Sequence, residues 1–157
     1  MHKVFLTKNE CSIIRGADEI IEAFGGFPSM ENGELLEIHL EKQHERNRGS
    51  VSFVFDIADW KVSSSRYLSK ERPAGFDQSR IKLTFQNCRD IKIVDPFRDL
   101  GEIKFGNSSD RKLMRQDEFP GLAPELERPF CVFYARSGES IIIDFDEETC
   151  IISAELC

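Results

Sequence analysis

Residues 24–40, FGGFPSMENGELLEIHL, change character three times in seventeen positions, and the order of those changes decides what the chain builds. Phe24-Gly25 closes a helical pattern that begins upstream in ADEIIEAFGG, residues 17–26, itself preceded by SIIRG. Ile13, Ile20, Ile21 and Phe24 recur at helical spacing, Asp18 and Glu19 suit the positive end of a helix dipole, and Gly25 is a fitting stop. Phe27-Pro28 then forbids continuation, because proline has no N–H and restricts the residue before it. Asn32-Gly33 signals a turn, and beyond it Leu36, Ile38 and Leu40 alternate with polar residues in the period-2 pattern of a strand.

Downstream the same period recurs. Val51, Phe53, Phe55 and Ile57 share a face in SVSFVFDI, as do Ile81, Leu83 and Phe85 in RIKLTFQNC. Ile91 with Ile93 and Ile103 with Phe105 give two shorter runs. PFCVFYARS, ESIIIDFDEE and TCIISAEL complete the set, joined at Ser137-Gly138 and near Glu147-Glu148 as two hairpins. About eight short strands with tight links predict an α+β fold: mainly antiparallel β, a sandwich or strongly curved sheet, with one N-terminal helix packed on it. Two long connections interrupt the pattern, Ala58 to Ser79 with Trp60 and Tyr67, and Asn107 to Pro129. Loops of that length in compact domains often carry function.

At 157 residues the chain is the size of one domain, residues 1–157, and long enough to bury a real core. The first apolar run, Val4 to Leu6, is too short for a signal peptide, and no later run approaches the ~18 residues of a membrane helix. The reading is therefore a cytoplasmic protein with no membrane partner. Five cysteines, Cys11, Cys88, Cys131, Cys150 and Cys157, are odd in number and widely spaced. They suit neither a disulfide framework nor a zinc site, and read as buried thiols. Net charge is −7, unevenly spread: from Asp117 onward ten acids face only Arg128 and Arg136. Such a surface repels phosphate backbones, which excludes nucleic acid as the expected partner, and attracts a basic protein.

No cofactor or catalytic signature stands out. His39 and His44 lie five apart on an expected strand, hence on opposite faces, a poor arrangement for one metal. Gly25-Gly26 lacks the lysine of a phosphate loop and the triple spacing of a dinucleotide site. The run Asp144-Phe145-Asp146-Glu147-Glu148 lacks the central glycine and distant glutamate of a calcium loop, and reads as a solvated hairpin tip or a surface for a basic partner. Arg111-Lys112 with Arg115 is a small basic cluster of the kind that is usually solvated. Trp60, the sole tryptophan, is either half-buried packing or an interface anchor.

The opening stretch resembles the hallmark segment of bacterial polymorphic-toxin immunity proteins of the type called immunity protein fifty. That segment has a helix ending in Phe-Gly, an aromatic-Pro-Ser-aromatic step, a His-Asp pair, a small residue, then Glu and an apolar strand. Phe24, Gly25, Phe27, Pro28, Ser29 and Glu34 match it, while Met30 replaces the second aromatic and Glu31-Asn32 the His-Asp pair. RIKLTFQNCRDIKIVDPFRDLGEIKF and FCVFYARSGESIIIDFDEETCIISAEL are similar to the family's middle strands and closing hairpin. The resemblance implies a non-enzymatic protein, without cofactor or metal, that neutralises a cognate toxin domain with basic groups by stoichiometric binding. The toxin-facing residues expected are Asp144, Asp146, Glu147 and Glu148, with Glu139 and Trp60. Two other readings compete: a small-ligand or carbohydrate-binding β domain built around Trp60, Tyr67 and Phe97, and a hydrolase using Cys or Glu groups.

Overall fold

A computed structural model describes residues 4–43, 48–63, 80–94, 100, 102–113, 128–135 and 138–157. In chain order these form α1 (Lys8–Ser12), β1 (Ile14–Arg15), α2 (Ala17–Phe24), β2 (Glu34–Gln43), β3 (Arg48–Asp56), α3 (Ala58–Ser63), β4 (Arg80–Cys88) and β5 (Asp90–Ile93). β6 (Glu102–Gly106), α4 (Ser108–Leu113), β7 (Phe130–Ala135), β8 (Gly138–Asp144) and β9 (Ile151–Leu156) follow. The fold is α+β and mainly antiparallel, as the alternation predicts. The strands divide into two sheets, ordered β1-β9-β4-β3-β2 and β5-β8-β7-β6, with one parallel pair, β1 with β9.

Aromatic side chains hold the sheets face to face. Phe53 and Phe55 of β3 meet Phe133 of β7 at 4.7 and 5.4 Å between ring centres, both edge-on, and Phe85 of β4 stacks on Phe105 of β6 at 6.0 Å. Edge-to-face and offset pairs satisfy the ring quadrupoles while each ring buries its full apolar area. Residues spaced by two along β3 and β4 are thus fully buried: Val51, Phe53 and Phe55, then Ile81, Leu83 and Phe85. β7 and β8 are buried on both faces through Phe130–Phe133 and Ile141–Ile143. Continuous apolar runs of that kind mark covered strands.

The helix α2 ends where its sequence says. Gly25 takes φ +80°, and its N–H donates to the Ile21 carbonyl at 2.7 Å. Its inward face is Ala17, Ile20, Ala23 and Phe24; Ile21 is half-buried, and Ile13 is 39% exposed because it caps α1 rather than extending α2. At its other end Gly16 has φ +82°, and a Cβ there would collide with the Ala154 carbonyl oxygen of β9. Only glycine lets the helix start this close to the strand.

The residues after α2 form backbone bridges rather than a simple lead-in to β2. Leu6 N–H donates to the Phe27 carbonyl and Ser29 N–H to Val4, while on the other side Ile103 N–H donates to Ser29 and Asn32 N–H to Leu100. Phe27–Gly33 therefore lies between Val4–Leu6 and the outer edge of β6. Met30 and Asn32 adopt φ +67° and +62°, and Gly33 N–H donates to Met30, turning the chain into β2. Phe27, Pro28, Ser29 and Met30 are all buried. With β1 paired to β9, the N-terminal segment seals one flank of the two-sheet core.

Two strand readings need correction. Leu36, Ile38 and Leu40 do not share a face, because the register slips between Leu35 and Glu37: Leu35, Ile38 and Leu40 lie opposite the inward-facing Phe55, Phe53 and Val51. The bulge resets the alternation. The expected closing hairpin is also absent, since β8 belongs to the second sheet and β9 to the first. The acidic stretch is a crossover between sheets, not a hairpin tip.

A cleft beside an acidic crossover

At one end of the molecule the chain leaves β8, crosses to β9, and passes the start of β3 and the end of β4. Arg48 and Arg89 come from those two places. Arg48 Nη2 and Arg89 Nε each donate to Asp146 Oδ2 at 2.9 Å, and Arg48 Nη1 donates to Thr149 Oγ1 at 2.8 Å. The Asp146 carbonyl accepts from the Thr149 and Cys150 N–H groups, and Asn87 Nδ2 donates to the Thr149 carbonyl. The Arg89 hydrogen bond, with the nearby charges of Arg89, Arg48 and Arg128, holds the Asp146 carboxyl below its usual range against a smaller opposing effect of burial. Charge-assisted bonds from two arginines, with the neutral bond from Asn87, fix the crossover.

The four acids of this stretch consequently differ in kind. Asp144 is buried, and its carbonyl accepts from the Arg89 N–H. Asp146 is committed to two guanidinium groups. Glu147 and Glu148 are exposed. Asp144 has no surface to give a partner, and Asp146 would have to surrender two ion pairs to meet one. Only the two glutamates match the expected role in exposure.

Trp60 is also corrected. It does not open a loop but lies on α3, whose first N–H donates to Asp56 Oδ1, and it is fully buried. Its Nε1 donates to the Val4 carbonyl at 3.1 Å, and its ring meets Phe5 and Phe24 edge-on at 5.9 and 6.0 Å. It anchors the N-terminal segment and cannot serve as an interface residue or a sugar platform. Tyr67, Phe97, His44 and Arg115 lie outside the described residues, as do the side chains of Glu139 and Arg111. Among the described residues no group of three metal-ligating side chains forms, and His39 lies exposed, 4.0 Å from Glu37.

Beside the crossover is an open cleft of about 610 Å³, bounded by α1, the β6–α4 junction, Phe145, Glu147, Cys150 and Ile152. Its floor includes Glu10, a residue the sequence reading passed over. Glu10 Oε1 accepts from the Thr7 N–H at 3.0 Å while Thr7 Oγ1 accepts from the Glu10 N–H, and Oε2 accepts from the Phe105 N–H of β6 at 2.8 Å. Thr-Lys-Asn-Glu, residues 7–10, is a capping box whose signature is legible in sequence. Here its carboxylate also satisfies a sheet edge.

Cys150 lines the cleft with its thiol pushed up to about 12, first by burial and then by the nearby Cys88 and Asp146. Burial raises Cys88 as well. Such thiols stay protonated at neutral pH, the opposite of what a cysteine nucleophile needs. Asp110, across the cleft, exchanges hydrogen bonds with Asn107, each side chain accepting from the other's N–H. The arrangement offers shape and, in Glu147, an exposed carboxylate. No helix among the described residues is long and apolar enough to cross a membrane. Compared with protein-family models, with curated proteins and with solved structures, the chain matches none of them.

Proposed function

We propose that this protein is an immunity-type inhibitor that binds a cognate toxin domain stoichiometrically in the cytoplasm, without catalysis, and meets basic groups of the toxin with Glu147 and Glu148. One observation carries the reading: the two exposed glutamates stand on a crossover locked by Arg48, Arg89 and Asp146, beside a cleft able to receive a side chain. A locked surface loses little conformational entropy on binding, and exposed carboxylates speed encounter with a basic partner. The resemblance of residues 24–34 to the immunity protein fifty segment supports the same class.

The test is co-expression with the C-terminal domain encoded by the adjacent upstream reading frame, reading growth and co-purification. Rescue with a one-to-one complex is expected, and Glu147→Lys with Glu148→Lys weakens that complex most at low salt. Affinity unchanged by the double reversal would move the docking surface elsewhere. A toxic neighbour with neither rescue nor complex would rule out the pairing.

The cleft favours a second reading, a small-ligand site, because about 610 Å³ lies within the volume range of such sites. Trp60 is not part of it. A thermal shift with sugars or amino acids that disappears in Asp110→Ala would support this reading.

A further inference from the structure

β2 is the outer strand of the five-stranded sheet and pairs only with β3 among the named strands. At ten residues it is long for an edge, and natural edges are usually shortened, covered or broken to prevent pairing with another chain. Here the break is the bulge at Leu36, leaving Glu37–Gln43 in unbroken register with β3. The midpoint of that regular segment is Leu40. It shares the inward face with Val51, yet it is 61% exposed. Beside it a shallow groove of about 330 Å³ runs between Leu40, Gly49 and Ile91, where the second sheet's β5 ends the cover.

We propose that a second copy of this chain pairs through β2, antiparallel, about a two-fold axis at Leu40, making one continuous ten-stranded sheet across the dimer. Cross-strand partners in a sheet point to the same side, so a symmetric pair must centre on a residue rather than between two. Centred on His39, Glu37 would oppose Glu41 of the other copy; centred on Glu41, that acid would oppose itself. Centred on Leu40, His39 opposes Glu41, Ile38 opposes the aliphatic stem of Lys42, and Glu37 opposes Gln43, all without like charges. Leu40 then meets its own copy over the groove. This register also uses all seven regular residues, whereas centring on Ile38 would draw the bulged Leu36 into the ladder.

Sedimentation equilibrium of the full chain from micromolar to sub-millimolar concentration tests the proposal. A concentration-dependent dimer is expected. Leu40→Asp, which places two carboxylates at the axis, raises its dissociation constant about tenfold or more. Glu41→Lys weakens the dimer, and adding His39→Glu to it places opposite charges across the pair and recovers the wild-type constant. A wild type that stays monomeric throughout, or a dimer indifferent to Leu40→Asp, overturns the proposal. Failure of the double substitution to recover binding overturns the register at Leu40.

Discussion

The two flanks of the paired sheets are finished in opposite ways. On one, Val4–Gly33 bonds to β6 on one side and, through β1, to β9 on the other, and its Phe24, Phe27 and Met30, with Trp60 of α3, are each at most 1% exposed. On the other, β2 and β5 end the sheets with Leu40 at 61%, Val94 at 60%, Ile93 at 40% and Leu36 at 36% exposure. Both flanks use apolar residues near strand edges, so hydrophobicity alone does not separate them. Among the described residues, the difference is whether backbone from elsewhere in the chain covers the edge. Substitutions in the sealed flank should cost folding stability, and substitutions in the open flank should cost association.

The largest effect is expected from Trp60→Ala. It removes the largest fully buried side chain, takes one of two donors from the Val4 carbonyl, which keeps the Ser29 N–H, and leaves a cavity against Phe5 and Phe24. Losses of this type run to about 3–5 kcal/mol. Urea unfolding followed by circular dichroism measures it, and Trp60→Phe, which keeps the ring contacts but not the Nε1 donor, should cost less. Equal midpoints for Trp60→Ala and wild type would mean the flank is not sealed through this residue.

Next comes Gly16→Ala. The left-handed φ of +82° costs an L-residue about 1–2 kcal/mol, and the added methyl presses on the Ala154 carbonyl, so the total should exceed that range. The same substitution at an exposed helix position would be favourable. A neutral result would show that α2 can withdraw from β9 freely.

How much of this contrast could be read from the sequence depends on range. Local signals were sufficient for α2, for Gly25 as its stop, and for the alternating or continuous apolar runs that form β3–β9. β1 has no local signal because two residues carry no period, and α1, five residues long, shows only the capping box of Thr7 and Glu10. Trp60 stands where the sequence reads as the start of a loop; its burial on α3 comes from tertiary contacts with Val4, Phe5 and Phe24. The acidic run shows the limit most clearly. Asp144, Asp146, Glu147 and Glu148 are indistinguishable in composition, and what sorts them is a sheet-to-sheet crossover that brings Arg48 and Arg89 from distant strands. Topology of that kind has no local sequence signature.

That crossover provides a smaller effect, distinct from either flank. Asp146→Asn loses the charge in both ion pairs, and partly exposed pairs contribute ~0.2–1 kcal/mol each, so a total near 1 kcal/mol is expected at neutral pH. Because the folded carboxyl is held below the ordinary value of 3.8, its stabilisation is fully present above that pH and fades as pH falls through the lowered folded value. Wild type and variant should therefore converge in acid. A difference that persisted unchanged there would point to lost shape rather than lost charge.

The smallest effect on folding is expected at Leu40, and that smallness sharpens the comparison. A side chain 61% exposed has already forgone most of its transfer free energy, so Leu40→Asp should move the unfolding free energy of the monomer by no more than ~0.5 kcal/mol. Urea unfolding at protein concentrations low enough to keep the chain monomeric checks this. The same variant at high concentration reports on association instead, since any dimer stabilises wild type by mass action and not the variant. A loss of several kcal/mol in the dilute monomer would mean that Leu40 belongs to the core, and that the flank closed by β2 and β5 is sealed by the chain itself after all.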